Sequence, residues 1–102
     1  MSSNSPSTSV ECRRVKAHGR VQGVGFRDSC LQYARSHGVG GWVRNCNDGS
    51  VEAIIQGQPE LLDAMCDWLA HHVPGARVDV LEVNVLPRPC QNITVFERRP
   101  TA

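Results

Sequence analysis

Hydrophobic and polar positions along the chain predict two amphipathic helices. Phe26, Cys30 and Ala34 recur four residues apart, which places them on one helical face, and Gly38 is a natural stop for that helix. A second helix is predicted to begin near Pro59, a residue that the first helical turn tolerates, and to end at residue 75. Its apolar stripe consists of Leu62, Met65, Cys66, Leu69 and Val73.

Alternating apolar positions predict strands around these helices. Two β-prone runs flank the sequence NDG at 47–49, a strong hairpin signal, and the second run places Val51, Ala53 and Ile55 on one face. In the later valine-rich run the apolar parity changes after residue 80, so either both faces are partly covered or a bulge intervenes. The other strands are predicted at 11–19, 77–87 and 92–99.

The order of these elements predicts the fold class. Strand, helix, strand, strand, helix and strand, with an extra strand at the end, is the split βαβ pattern. The expected architecture is α+β: a ferredoxin-like α/β sandwich (βαββαβ) with an antiparallel sheet of four to five strands and two helices on one face. We expect a single domain at 11–99, between a disordered polar leader at 1–10 and a short tail at 100–102.

Composition narrows the classes of function. A net charge of +1 provides no general basic field for nucleic acid, and no apolar run approaches the roughly 18 residues that a membrane span requires. The leader lacks the basic and apolar parts of a signal peptide, so the protein is predicted to be cytoplasmic. Five cysteines without a C-x-x-C pair, and four histidines of which only His71 and His72 are neighbours, predict structural thiols and no metal site.

The sequence GRVQGVGFR at 19–27 is the strongest candidate for chemistry. It lies between a predicted strand and a predicted helix, where glycines allow successive backbone N–H groups to face an anion. Arg27 in the first helical turn opposes the helix dipole, a cost that an anionic ligand would offset, and its guanidinium fits phosphate with two hydrogen bonds. From the residues alone, a sharp surface turn with a solvated arginine explains the same pattern equally well.

This motif, followed eighteen residues after Arg27 by Asn45 in GWVRNCNDGSVE, resembles the acylphosphatase family. The similarity extends from about Val15 to Phe96 and implies a ferredoxin-like enzyme that hydrolyses acyl phosphates to a carboxylate and inorganic phosphate, without metal or cofactor. It implies that Arg27 and Asn45 are catalytic, with Asn45 positioning a water. The implied phosphate-binding residues are Gln22, Gly23, Val24, Gly25, Phe26 and Arg27.

The resemblance also sets the expected partners and the alternatives. The expected partners are a small acyl phosphate and inorganic phosphate as product and inhibitor, for a monomer that binds neither nucleic acid nor membrane. One alternative is a non-catalytic module that binds phosphate or carbamoyl phosphate. RNA binding is disfavoured because the GVGF sequence precedes a helix rather than lying on a central strand. Cys46 after Asn45 and the ending FERRP depart from the family pattern.

Overall fold

The computed structural model describes residues 10–87 and 93–102. Their element order matches the predicted order, and most bounds agree within one or two residues, whereas the last strand is shorter than predicted. The predicted leader, Cys90 and the start of the predicted last strand lie outside the described residues, apart from residue 10. The elements are β1 (Glu11–Arg20), α1 (Phe26–His37), β2 (Gly40–Asn45), β3 (Val51–Gly57), α2 (Pro59–His71), β4 (Arg77–Val85) and β5 (Phe96–Arg98).

The sheet has the strand order β4-β1-β3-β2-β5. The expectation of a wholly antiparallel sheet is wrong for one pairing, because β5 runs parallel to β2. The other three pairings are antiparallel, which makes β1 and β2 run in the same direction and β4 in the opposite one. Since β5 runs in the direction opposite to β4, it is parallel to β2, the edge strand that it joins.

The core lies between the helices and the sheet. The predicted β3 face is buried, with exposed fractions of 2% for Val51, 4% for Ala53 and 0% for Ile55. The predicted faces of both helices supply the opposite wall, although Cys66 is only half-buried. The buried helical side chains are Phe26, Cys30, Ala34, Leu62, Met65 and Leu69.

Two local features correct or complete the predicted boundaries. The parity change in β4 is a bulge: His18 pairs with Val80 and Gly19 pairs with Val78, so Asp79 has no partner in the register. The second helix ends at His71 rather than at residue 75. The earlier end has a physical reason, because Pro74 disfavours helical geometry at the residue before it.

Among the predicted structural thiols, Cys30 is fully buried in the core. Cys30, Cys46 and Cys66 are free thiols, and burial raises the pKa of Cys30 to about 12. A thiol with that pKa remains protonated and unreactive at neutral pH.

None of the helices in the described ranges is long and apolar enough to cross a membrane.

Candidate active site

A small polar pocket lies where α1 begins, beside the end of β2. Its volume is about 80 Å³, and it brings Arg27 and Asn45 together although they are eighteen positions apart in the sequence. The loop before α1 and its first turn form most of the wall, and β2 and β5 contribute one residue each. The lining residues are Val21, Gly23, Gly25, Phe26, Arg27, Asp28, Asn45 and Arg98.

The loop reaches this position through two left-handed glycines. Gly23 has φ 76° and Gly25 has φ 81°, conformations that L side chains adopt only with strain. Gly25 is also the N-cap of α1, and no side chain caps the helix there. The first intrahelical bond runs from the Ser29 N–H to the Gly25 carbonyl, so the N–H groups of residues 26–28 have no partner within the helix. Both glycines line the pocket.

Arg27 is half-buried in this wall, and its guanidinium has no ion-pair or hydrogen-bond partner among residues 10–87 and 93–102. The adjacent carboxylate does not neutralise it. Asp28 Oδ1 instead accepts a hydrogen bond from Arg98 Nη1 at 2.5 Å. A half-buried, unpaired guanidinium at a helix N-terminus makes the pocket electropositive and suited to an anion.

Asn45 enters the pocket because of the strand alternation in β2. Val43 faces the core, so Asn45 two residues later points to the same side, and Arg44 points to the other side, where its Nη2 lies 2.8 Å from Glu52 Oε1. Within the described part of the chain, the side-chain amide of Asn45 has no hydrogen-bond partner.

The hairpin after Asn45 is firmly held. Asp48 Oδ1 accepts hydrogen bonds from the Ser50 N–H at 2.9 Å and from the Ser50 hydroxyl at 2.5 Å. These bonds, with a further one from Lys16, lower the pKa of Asp48. The C-terminal segment secures the other side, since the Ala102 N–H donates to the Asn45 carbonyl at 3.1 Å. The backbone that carries the Asn45 side chain is therefore fixed on both sides.

The predicted loop residues have different roles in this geometry. Gln22 and Val24 do not line the pocket, so any contact with an anion would come from their backbone amides, which stays a prediction. The Gln22 side chain instead connects the loop to the hairpin. Its Nε2 donates to the Cys46 carbonyl at 2.8 Å and to the Ser50 carbonyl at 2.9 Å. It therefore sets the separation between the loop and Asn45.

Gln22→Ala is expected to lower kcat by about tenfold, because it allows the loop to move relative to Asn45. A displacement of roughly an ångström between groups at a reacting centre lowers the rate by tenfold or more. Loss of two neutral hydrogen bonds also lowers the free energy of unfolding by about 1–2 kcal/mol. Steady-state kinetics and urea denaturation measure the two effects. Gln32→Ala, an exposed glutamine on α1, is the matched control. Equal kcat in the two variants would contradict the positioning role of Gln22.

The structure adds Val21, Asp28 and Arg98 to the residues that sequence reasoning placed at the site. Asp28 fits the first turn of any helix, where acidic residues are common, so nothing in the sequence marks it as part of a pocket. Arg98 reaches the pocket because β5 joins the β2 edge in parallel, a pairing that the strand pattern does not predict. No group of three or more potential metal ligands occurs within residues 10–87 and 93–102.

Among solved structures, the fold is similar to that of acylphosphatases. The acylphosphatase from Bacillus subtilis superimposes with a TM-score of 0.82 at 29% identity, over 87% of this chain and 98% of that chain. The predicted ferredoxin-like α+β sandwich is thereby confirmed, with two helices packed on a five-stranded mixed sheet.

Sequence comparison then defines the family. The acylphosphatase of Polaromonas naphthalenivorans is 52% identical over 86 residues, covering 84% of this chain and 85% of the relative. Acylphosphatase 1 of Ralstonia nicotianae is 46% identical over 101 residues, covering 99% of each. A family model described as Acylphosphatase matches residues 13–97. The chain belongs to the acylphosphatase family, which confirms the predicted assignment as an acylphosphatase enzyme.

Proposed function

We propose that the pocket is the active site and that it hydrolyses the carboxyl–phosphate bond of acyl phosphates. The observation that carries this proposal is the meeting of Arg27 and Asn45 in one pocket of about 80 Å³. Both residues are half-buried, and their side chains have no hydrogen-bond partner among the described residues. Binding of phosphate alone does not require Asn45. The pair therefore favours catalysis over the non-catalytic binding module considered from the sequence.

Arg27 and the loop amides hold the phosphoryl group. The guanidinium donates two parallel hydrogen bonds to phosphoryl oxygens, and the N–H groups of 22–27 contribute further donors on one side of the pocket. These donors are in place before the substrate arrives, because Gly23 and Gly25 allow the loop conformation and the Gln22 bonds to the hairpin hold it. Donors aimed at charge that increases in the transition state are usually the largest single source of rate enhancement.

Asn45 positions the attacking water. Its carboxamide has both an acceptor and a donor, so it orients the water for attack at phosphorus in line with the leaving carboxylate. The water oxygen forms the new P–O bond, the bond between phosphorus and the acyl oxygen breaks, and the electron pair leaves with the carboxylate. Both protons of the water end on the phosphate product.

Among the described residues that line the pocket, none supplies a general base for this step. Asn45 is not basic near neutral pH, and Asp28, the one carboxylate among the described pocket-lining residues, is bonded to Arg98. The proton therefore passes to an oxygen of the substrate phosphoryl group. A carboxylate is a good leaving group and needs no protonation, so this route is chemically sufficient.

Activity is expected to be independent of metal ions. Guanidinium and amide donors provide the charge stabilisation that a metal provides in other phosphoryl-transfer sites, and the described residues contain no cluster of metal-ligating groups. Hydrolysis of benzoyl phosphate, followed by release of phosphate, should continue unchanged in excess chelator. A loss of activity that Mg²⁺ or Zn²⁺ restores would contradict the proposed mechanism.

The remaining expectations stay predictions. They are a single domain at 11–99, a cytoplasmic location, a monomeric state, no nucleic-acid or membrane partner, and inhibition by inorganic phosphate as the product. The free thiols of Cys30, Cys46 and Cys66 support a reducing compartment.

A further inference from the structure

The pocket has a buried floor and a charged mouth. Val21 and Phe26 form the floor and are almost fully buried. Asp28 and Arg98 also line the pocket, but their side chains are 59% and 46% exposed. They therefore lie at the opening, where they form a bonded pair of opposite charges that joins the first turn of α1 to β5.

The size of the pocket determines which part of a substrate meets this pair. A cavity of about 80 Å³ accommodates a few heavy atoms, since one water occupies about 30 Å³ in the liquid. A phosphoryl group with its attacking water fills that space. The acyl part of the substrate must therefore extend through the opening, past Asp28 and Arg98.

Arg98 retains donors for an additional ligand. Its contact with Asp28 uses Nη1 alone, and a guanidinium carries five N–H groups, so Nη2 and Nε have no hydrogen-bond partner among the described residues. The negative charge of Asp28 partly offsets the attraction of Arg98 for an anion at the opening. An anionic substituent on the acyl group would meet these remaining donors, whereas a neutral substituent would gain nothing from them.

We propose that Arg98 is a specificity-determining residue that favours acyl phosphates whose acyl part carries a second anionic group. The inference rests on the proposed function, because it assigns a role at the opening of the same active site. The preference is expected to be modest, about fivefold in kcat/KM, because the residue is half-exposed and exposed ion pairs are weak. It should diminish as added salt screens the interaction.

The alternative is that the Asp28–Arg98 pair only attaches β5 to α1. A purely structural pair would change stability and would affect all substrates alike. A specificity role changes the ratio of kcat/KM for an anionic acyl phosphate to that for a neutral one. The ratio is therefore the deciding measurement.

The test compares 4-carboxybenzoyl phosphate with 4-methylbenzoyl phosphate, which share a ring and reacting group and differ in one charge. Arg98→Gln should lower the ratio of their kcat/KM values by about fivefold, whereas Arg98→Lys should retain most of it. Asp28→Asn should raise the ratio, because it removes a competing carboxylate from the opening. Arg99→Gln is the matched control, since Arg99 stacks on Trp42 at 5.0 Å and pairs with Glu97 instead.

Each outcome separates this proposal from the proposed function. If the native protein hydrolyses neither compound, the proposed function is wrong. If it hydrolyses both, and Arg98→Gln moves the ratio no further than Arg99→Gln does, the role of Arg98 is wrong and the proposed function stands. Circular dichroism and urea denaturation establish that each variant is folded. Should Arg98→Gln not fold, Arg98→Met takes its place, and a native ratio that does not change with added salt would also contradict the role of Arg98.

Discussion

Arg27→Ala is expected to lower kcat/KM for benzoyl phosphate by about 10³-fold, with a higher KM and a lower kcat together. The physical reason is that the guanidinium contacts the phosphoryl group in both the ground state and the transition state, and its contribution increases as charge accumulates. Arg27→Lys should recover little of the loss, because an ammonium group does not reproduce two parallel hydrogen bonds. Steady-state kinetics on the three proteins measure these effects.

Inorganic phosphate provides an independent readout of the same residue. It should inhibit the native protein competitively, and Arg27→Ala should weaken its binding in calorimetry. Arg20→Ala is the matched control, because Arg20 is an exposed arginine that precedes the loop and does not line the pocket. If Arg27→Ala bound phosphate with native affinity, Arg27 would not be the phosphate anchor.

Asn45→Ala is expected to lower kcat by about 10²-fold or more, which corresponds to a loss of about 3 kcal/mol of transition-state stabilisation. The inhibition constant of phosphate should change little, because the residue positions water rather than the phosphoryl group. The fold should persist, since the hairpin bonds that hold this position involve the backbone and Asp48 rather than the Asn45 side chain.

Two further substitutions sharpen this test. Asn45→Asp should lose both rate and phosphate affinity, because its carboxylate would repel the phosphoryl group. Asn47→Ala is the control, since Asn47 is an exposed asparagine two residues further along that does not line the pocket. Near-native turnover in Asn45→Ala would remove the water-positioning role and leave Arg27 and the loop as a binding site only.

Local signals in the sequence were sufficient for most of the architecture. Two periodicities identify faces that the structure buries. Phe26, Cys30 and Ala34 recur every four residues, and Val51 and Ile55 belong to a strand whose apolar residues recur at every second position. Such periodicities arise because each element must bury one face, so they are visible without knowledge of its partners. The bulge in β4 was also visible, as a change in apolar parity, although the sequence left its cause open.

The features that the sequence did not predict depend on contacts between distant segments. The parallel direction of β5 follows from the edge that it joins, and a run of three residues does not encode that choice. The Asp28–Arg98 pair joins positions 70 residues apart, and each side chain has an ordinary local explanation. Gln22 belongs to the predicted loop, but its bonds to two hairpin carbonyls require the assembled fold.

The most direct test of the proposed mechanism is the fate of the oxygen atom of the attacking water. Benzoyl phosphate should be hydrolysed in H₂¹⁸O with excess chelator and an excess of enzyme over substrate, and both products analysed by mass spectrometry. A water that Asn45 directs at phosphorus places one ¹⁸O atom in each phosphate and none in benzoate. Label in benzoate would show attack at the carbonyl carbon and would contradict the roles assigned to Arg27 and Asn45.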